Sequence, residues 1–411
     1  MIDPLVKCCA GLDVHKALIV CTVIEENPQG VLRNITREYA TFIDELADLA
    51  QWLKSLGVEL AVMESTGVYW KSLYEALERE GLRVYVVNAR HIKRVPGRKT
   101  DVSDSEWLAE LGRCGLLRPS FIPPRDLREL RLLTRYRQKL IGVMASEKNR
   151  LHKLLDDAGL RLGCVVSDID GVSARQIIAA LSQGEASPEH LAGLARGRLH
   201  GKHEALCRAL VGNLSDRHRI LLRTLQHHLQ WMETEVADID GQIVTAMAPY
   251  QDAWQLLQTI PGLDALGAAM LIAEIGVDMD RFGSKERLSS WAGLCPGNND
   301  SAGKRKNGRA YRGNRYIKRL LCESANSACR TNSQFKGLYQ GLVIRRGHKR
   351  TIMAIAHKLL EVSYALLKKR QPYIDPRFDY EALTVGRNAP RWIKALKKFG
   401  YWPDAQHTAA A

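Results

Sequence analysis

No apolar run in this 411-residue chain approaches the about 20 residues that a helix needs to cross a bilayer, so no membrane span is expected. Met1-Ile2-Asp3-Pro4 lacks the basic and then apolar pattern of a secretory leader, and a cytoplasmic location is expected. Cysteine occurs nine times and never as CxxC, which excludes a zinc ribbon and argues against a disulfide framework. Cys8 and Cys9, adjacent in a strand, should point to opposite faces as reduced thiols. The twelve histidines contain no HExxH, and His200 with His203 is too isolated for a metal site.

Acids are nearly missing from one stretch. Between Ser301 and Arg370 stand eighteen Lys and Arg against only Glu323 and Glu361, a local net charge of +16 in a chain whose total is +15. A solvated surface would spread that excess. Its concentration points to a polyanionic partner, nucleic acid before an anionic membrane, because the stretch has no Trp/Phe-rich amphipathic face.

What is present is otherwise ordinary: 45% hydrophobic and 26% charged residues, in a chain long enough for two or three domains. Cys8–Asp13, Ala17–Ile24 and Gly30–Tyr39 read as strands, the last after an Asn27-Pro-Gln-Gly turn. Thr41 is a plausible N-cap for a helix carrying Phe42, Leu46, Leu49, Leu53 and Leu56, which Gly57 closes. A short strand Leu60–Met63 ends at Glu64, followed by a helix over Tyr69–Glu80 and a strand over Leu82–Val87. Three strands, then helix, strand, helix, strand, is the order of an RNase H-like mixed sheet. The expected fold class is thus α/β plus all-α: this sheet domain, a helical coiled-coil connector and a mostly helical basic domain.

Beyond Pro119, Pro123 and Pro124 the pattern is helical. Leu130, Leu133, Leu140, Val143, Leu151 and Leu154 mark one long helix, and Leu222, Leu225, Leu229, Met232, Val236, Ile239 and Ile243 form a heptad seam. Residues 160–210 read as a small helical insert or loop. Thr259-Ile-Pro-Gly-Leu263 before an apolar helix resembles half of a helix–hairpin–helix, although an ordinary capped helix is the simpler reading. The expected division is 1–156, 157–250, 251–372 and a tail, 373–411.

Asp13 and Glu64 end strands and can leave the sheet at one edge, while Asp101 and Asp104, three apart at a helix start, share a face. Together these acids suit Mg²⁺, which takes few carboxylates and leaves room for phosphate oxygens. Each also has an everyday explanation, in capping or as a surface acid.

These residues carry a resemblance. GLDVHK at 11–16, MESTGVYW at 63–70 and KTDVSDSEWLAE at 99–110 resemble the three blocks of the DEDD transposases of bridge-RNA-encoding insertion sequences, the insertion-sequence 110 family, whose relatives include pilin-gene-type DNA invertases. IPGLDALGAAMLIAEIG at 260–276 and RFGSKERLSSWAGLCPGNNDSAGKRKNGR at 281–309 resemble that family's C-terminal domain. The match is weakest over 157–250, and Ser105 stands where the family usually has Ala. The resemblance implies a RuvC-like domain in which Asp13, Glu64, Asp101 and Asp104 hold Mg²⁺ or Mn²⁺, and Ser301 as a nucleophile forming a covalent phosphoserine–DNA intermediate. It also implies donor and target DNA, a structured guide RNA, a tetramer built as a dimer of dimers, and a place near a prokaryotic nucleoid.

On chemistry alone, Asn298–Gly303 is turn-forming, so Ser301 can project from a loop beside Lys304, Arg305, Lys306 and Arg309. Arg312, Arg315, Lys318 and Arg319 open a helix with an apolar opposite face, and Arg345 and Arg346 begin another basic cluster. Arg98 and Lys99 belong beside the acidic centre. Such groups bind backbone phosphate without reading bases, and aromatics, 7% of the chain, are too sparse there for extensive base stacking. The rival readings are a junction-resolving nuclease using metal-activated water and a non-catalytic nucleic-acid-binding protein of the same fold. An actin-like ATPase is disfavoured because Asp13-Val-His-Lys16 offers no phosphate hairpin.

Overall fold

The computed structural model describes residues 5–65, 67–88, 104–185, 187–295, 299–301, 304–307, 313–376 and 380–401. The chain divides into two compact units, 1–122 and 123–411.

The first unit is built on β1 (Cys8–Val14), β2 (Leu18–Glu26), β3 (Leu32–Ala40), β4 (Leu60–Glu64) and β5 (Val84–Val87). Their order is β3-β2-β1-β4-β5, with β1–β2 and β2–β3 antiparallel and β1–β4 and β4–β5 parallel. That is the mixed RNase H/RuvC-like sheet expected from the strand and helix order. Successive β1 residues serve two cores, as strand alternation requires. Cys8, Ala10, Leu12 and Val14 pack with Leu46, Leu49 and Leu53 of α1 (Ile43–Ser55) and with Leu73 and Leu77 of α2 (Trp70–Arg79). Cys9 joins Val62, Leu108 and Leu111 under α3 (Asp104–Arg113) on the other face. All nine cysteines are free thiols, and burial raises those of Cys8 and Cys9 to about 11 and about 12.

Two local expectations change. Thr41 does not cap α1; its hydroxyl donates to the Lys16 carbonyl at 3.0 Å, and Phe42 occupies the cap position without a side-chain bond. Phe42 is therefore 72% exposed instead of lying on the apolar face.

In the second unit, α4 (Arg125–Asp157) and α8 (Asp216–Thr245) are the long helices, and they pack against each other. Leu127, Leu130, Leu140, Met144, Leu151 and Leu155 are buried on α4; Leu222, Leu229, Met232, Val236, Ile239 and Ile243 on α8. The 160–210 region is helical, with α5 (Val172–Gln183), α6 (Pro188–Gly193) and α7 (His203–Ala209). It is pinned by buried Asp170, which accepts from Arg175 Nε and lies 2.8 Å from Lys148 Nζ.

Next come α9 (Gln251–Gln258), α10 (Ala265–Ile275) and α11 (Lys285–Ala292), then the hairpin β6 (Asn299–Ser301) and β7 (Lys304–Asn307). The basic helices α12 (Arg315–Ala328), α13 (Gln334–Arg346) and α14 (His348–Lys369) precede α15 (Tyr380–Lys398). The turn between α9 and α10 is packed, not open. Gly262 has φ +84°, and a Cβ there would fall 2.5 Å from Ser324 O and Ala328 N of α12. Asp264 accepts from Gly267 N at 2.7 Å, an ordinary capped helix end. Among the described residues no helix is long and apolar enough to cross a membrane.

Candidate active site

Strand register places the first two acids. Cys9, Ala10, Gly11 and Leu12 pair in parallel with Leu60, Ala61, Val62 and Met63. The next residue on each strand is an acid, Asp13 on one and Glu64 on the other. Both lie an even number of residues from Cys9 and Val62, which face α3, so both leave the sheet on that same face.

The third acid is brought by how closely α3 approaches. A Cβ on Gly11 would fall 1.9 Å from Ser105 O and 2.4 Å from Ala109 N, so only glycine lets the helix lie on β1. A Cβ on Gly112 would meet Val62 Cγ2 at 2.6 Å and Cys9 Sγ at 2.9 Å. The helix therefore runs antiparallel to β1, its C-terminal end held by Leu5 N donating to Arg113 O at 2.7 Å and by Arg113 Nη1 donating to Glu26 at 3.0 Å. Its first residue, Asp104, starts at the edge where Asp13 and Glu64 emerge. Ser105 is fully buried, and its hydroxyl is satisfied by Thr22 Oγ1 at 2.8 Å, which in turn meets Thr36 Oγ1 at 3.0 Å. The buried hydroxyl is thus accommodated without an unpaired polar atom.

Asp13 and Glu64 are half-buried and Asp104 is exposed. Among the described residues no three His, Cys, Asp or Glu side chains are already gathered closely enough to hold a metal ion. Asp101, Arg98 and Lys99 lie outside the described residues. Three carboxylates at one edge of one sheet face are nonetheless the hard oxygen donors that Mg²⁺ or Mn²⁺ takes. A neighbour that motif reading did not use is His15, whose Nε2 lies 3.0 Å from Asp13 Oδ2. Its signal was visible: two residues beyond Asp13, it falls on the same side of the chain.

Ser301 is the last residue of β6 and pairs in register with Lys304 of β7. It thus ends a strand instead of sitting within the turn, because Lys304–Asn307 pairs back on Asn299–Ser301. Lys304, Arg305 and Lys306 lie on β7; Arg309 and Arg312 lie outside the described residues. Lys318, Arg315 and Arg319 occupy the first turn and a half of α12, opposite buried Ile317, Leu320 and Leu321. Arg319 Nε donates to Glu323 at 2.9 Å, and the Arg315 guanidinium lies 4.9 Å from the Tyr316 ring centre. Arg345 and Arg346 end α13, exposed, next to exposed Lys349 and Arg350 at the start of α14.

One buried cluster escaped sequence reading. Glu274 of α10, 3% exposed, accepts from Arg135 Nε at 2.7 Å and Nη2 at 2.9 Å, with Arg131 Nε 3.5 Å away. Burial pushes its carboxyl up, but the hydrogen bonds from Arg135 and the charges of both arginines outweigh burial and hold it below the usual range. Arg131 is driven down to about 10 by burial. A lone acid inside the apolar run Ala265–Ile275 was the available signal.

Two family models match this chain: a DEDD transposase of the insertion-sequence 110 group over residues 10–159, and "Transposase IS116/IS110/IS902 family" over residues 254–340. The chain belongs to the IS110/IS116/IS902 family of DEDD transposases. Similar to this transposase are the "Transposase for insertion sequence element IS1111A" of Coxiella burnetii, 25% identical over 88% of this chain and 90% of that one. The "Insertion element IS900 uncharacterized 42 kDa protein" of Mycobacterium paratuberculosis is also 25% identical, over 89% of this chain and 96% of its own. The Thermus thermophilus RuvC structure aligns with 28% of the transposase and 99% of its own chain, at 13% identity and a TM-score of 0.22. The fold assignment rests on strand order, not on that alignment.

Proposed function

We propose that this transposase breaks and rejoins DNA strands of a mobile element in a reaction dependent on Mg²⁺ or Mn²⁺. The observation that carries the reading is the register of β1 and β4, which delivers Asp13 and Glu64 side by side on the face where α3 delivers Asp104. These three, with Asp101, are the residues that would hold the ions. When bound, the ions would supply Lewis-acid stabilisation of charge at the scissile phosphate. Exposed cations on α12 and α13, with the lysines and arginine of β7, would hold the flanking backbone phosphates.

Two nucleophiles are in play. Ser301 Oγ would bond to phosphorus as a P–O bond of the strand breaks and frees a sugar hydroxyl, the phosphoserine conserving the bond for rejoining. Water is the alternative, as in a junction-resolving nuclease. It needs only the acids of the first unit and no residue of the second, to which Ser301 belongs. We further propose that a structured RNA selects donor and target DNA and that a dimer of dimers assembles the reaction. The support is a large positive excess without extensive aromatic stacking surfaces.

The test is cleavage of DNA carrying the element's ends by protein with its co-purifying RNA, resolved on denaturing gels. Glu64→Gln and Asp13→Asn are expected to lose cleavage by at least about a hundredfold, since each removes a metal ligand. A DNA–protein adduct present in the parent and lost in Ser301→Ala supports serine; undiminished cleavage by Ser301→Ala without adduct establishes water.

A further inference from the structure

The chain leaves α11 at Gly293 and re-enters helix at Asn314, and between them runs the hairpin with Ser301, Lys304, Arg305 and Lys306. The two ends stand backbone to backbone. Gly293 has φ +73° and Gly313 φ +50°, and a Cβ on Gly313 would fall 2.4 Å from Gly293 Cα and N. The loop is therefore closed at its base by backbone contact, and any side chain on Gly313 would force the two ends apart.

Asn314 fixes that base in two directions. Its Oδ1 accepts from Tyr316 N at 2.9 Å and Ile317 N at 3.3 Å, capping α12. Its Nδ2 donates to Glu274 Oε2 at 2.7 Å. Glu274 is clamped by Arg135 of α4, whose guanidinium also lies 4.6 Å from the Tyr316 ring centre. The loop base is thus tied through one buried carboxylate to the long helix.

We propose that Glu274 and Asn314 are positioning residues that hold the β6–β7 hairpin in one orientation for a DNA strand. The inference rests on the reading that this hairpin meets DNA. Helix stability alone does not require the arrangement: the cap is made by Asn314 Oδ1, and the bond from Nδ2 to Glu274 adds direction to it. Apolar side chains replacing Glu274, Arg131 and Arg135 together would fill the space and spare the desolvation of three charged groups, but could not orient the amide.

Two variants separate orientation from stability. Asn314→Ser retains an oxygen for the cap and loses the bond to Glu274. Glu274→Gln retains an oxygen for the Asn314 amide and loses the charge that holds Arg131 and Arg135. Hydrogen exchange of the β6–β7 amides, thermal melting, DNA affinity and single-turnover cleavage are measured on the full chain with its co-purifying RNA. In Asn314→Ser the hairpin should exchange at least about tenfold faster and saturated cleavage fall about tenfold, with melting and affinity nearly unchanged. In Glu274→Gln melting should fall while hairpin exchange stays near that of the parent.

Unchanged exchange in Asn314→Ser, or exchange that follows melting temperature across both variants, overturns the positioning role. A loosened hairpin with full cleavage and affinity overturns the reading of the hairpin on which the role rests.

Discussion

Gly11 shows how much a missing methyl can decide. With Ser105 O 1.9 Å from where its Cβ would be, Gly11→Ala must lift α3 off the sheet, taking Asp104 with it. The substitution is expected to cost at least about 3 kcal/mol, read from the urea midpoint of the full chain, whereas Ser105→Ala should cost about 1 kcal/mol for its bond to Thr22. Equal, small effects would mean that the helix does not bear on β1 at that point. At this scale Asp13 and Glu64 were legible because strand ends and acids are both local features. His15 and Glu274 left local signals, a place two residues beyond Asp13 and a lone acid in an apolar run, but the clamp from Arg135, 139 residues away in sequence, forms only in the fold.

Among the elements, α10 illustrates the opposition between burial and pairing. Its apolar run would read as plain core, yet Glu274 sits inside it, ionised and held by Arg135 and Arg131. Because the folded carboxyl lies below its unfolded value of about 4.3, its contribution to stability is fully present above that value and is lost as pH falls through the lower, folded one. Stability of the parent should therefore drop below about pH 5 more steeply than that of Glu274→Gln, followed by melting across pH. Parallel pH curves for the two would show that the carboxyl gains nothing from its arginines. The element order of the first unit was readable from periodicity, including Gly57 as the end of α1. The cap of α1 was misread because Thr41 spends its hydroxyl on the Lys16 carbonyl, a bond that joins segments distant in sequence.

At the scale of the whole molecule, charge is the dominant feature, +16 between Ser301 and Arg370 in a chain of +15. Binding through backbone phosphates releases counterions, so affinity for DNA should fall by about 10³ or more between 50 and 200 mM salt if six or more phosphates are contacted. Anisotropy titrations would check this, and a shallow slope would place the basic residues on the solvated surface. The sequence by itself determined the strand and helix order, the segregation of acids from bases and the long helices, because hydrophobic period and charge are properties of neighbouring residues. Only the tertiary structure decided that Asp13, Glu64 and Asp104 share one sheet face and that the serine hairpin is tied at its base to a buried carboxylate. Those relations depend on strand register and on backbone contacts across glycine, which join residues that the chain keeps far apart.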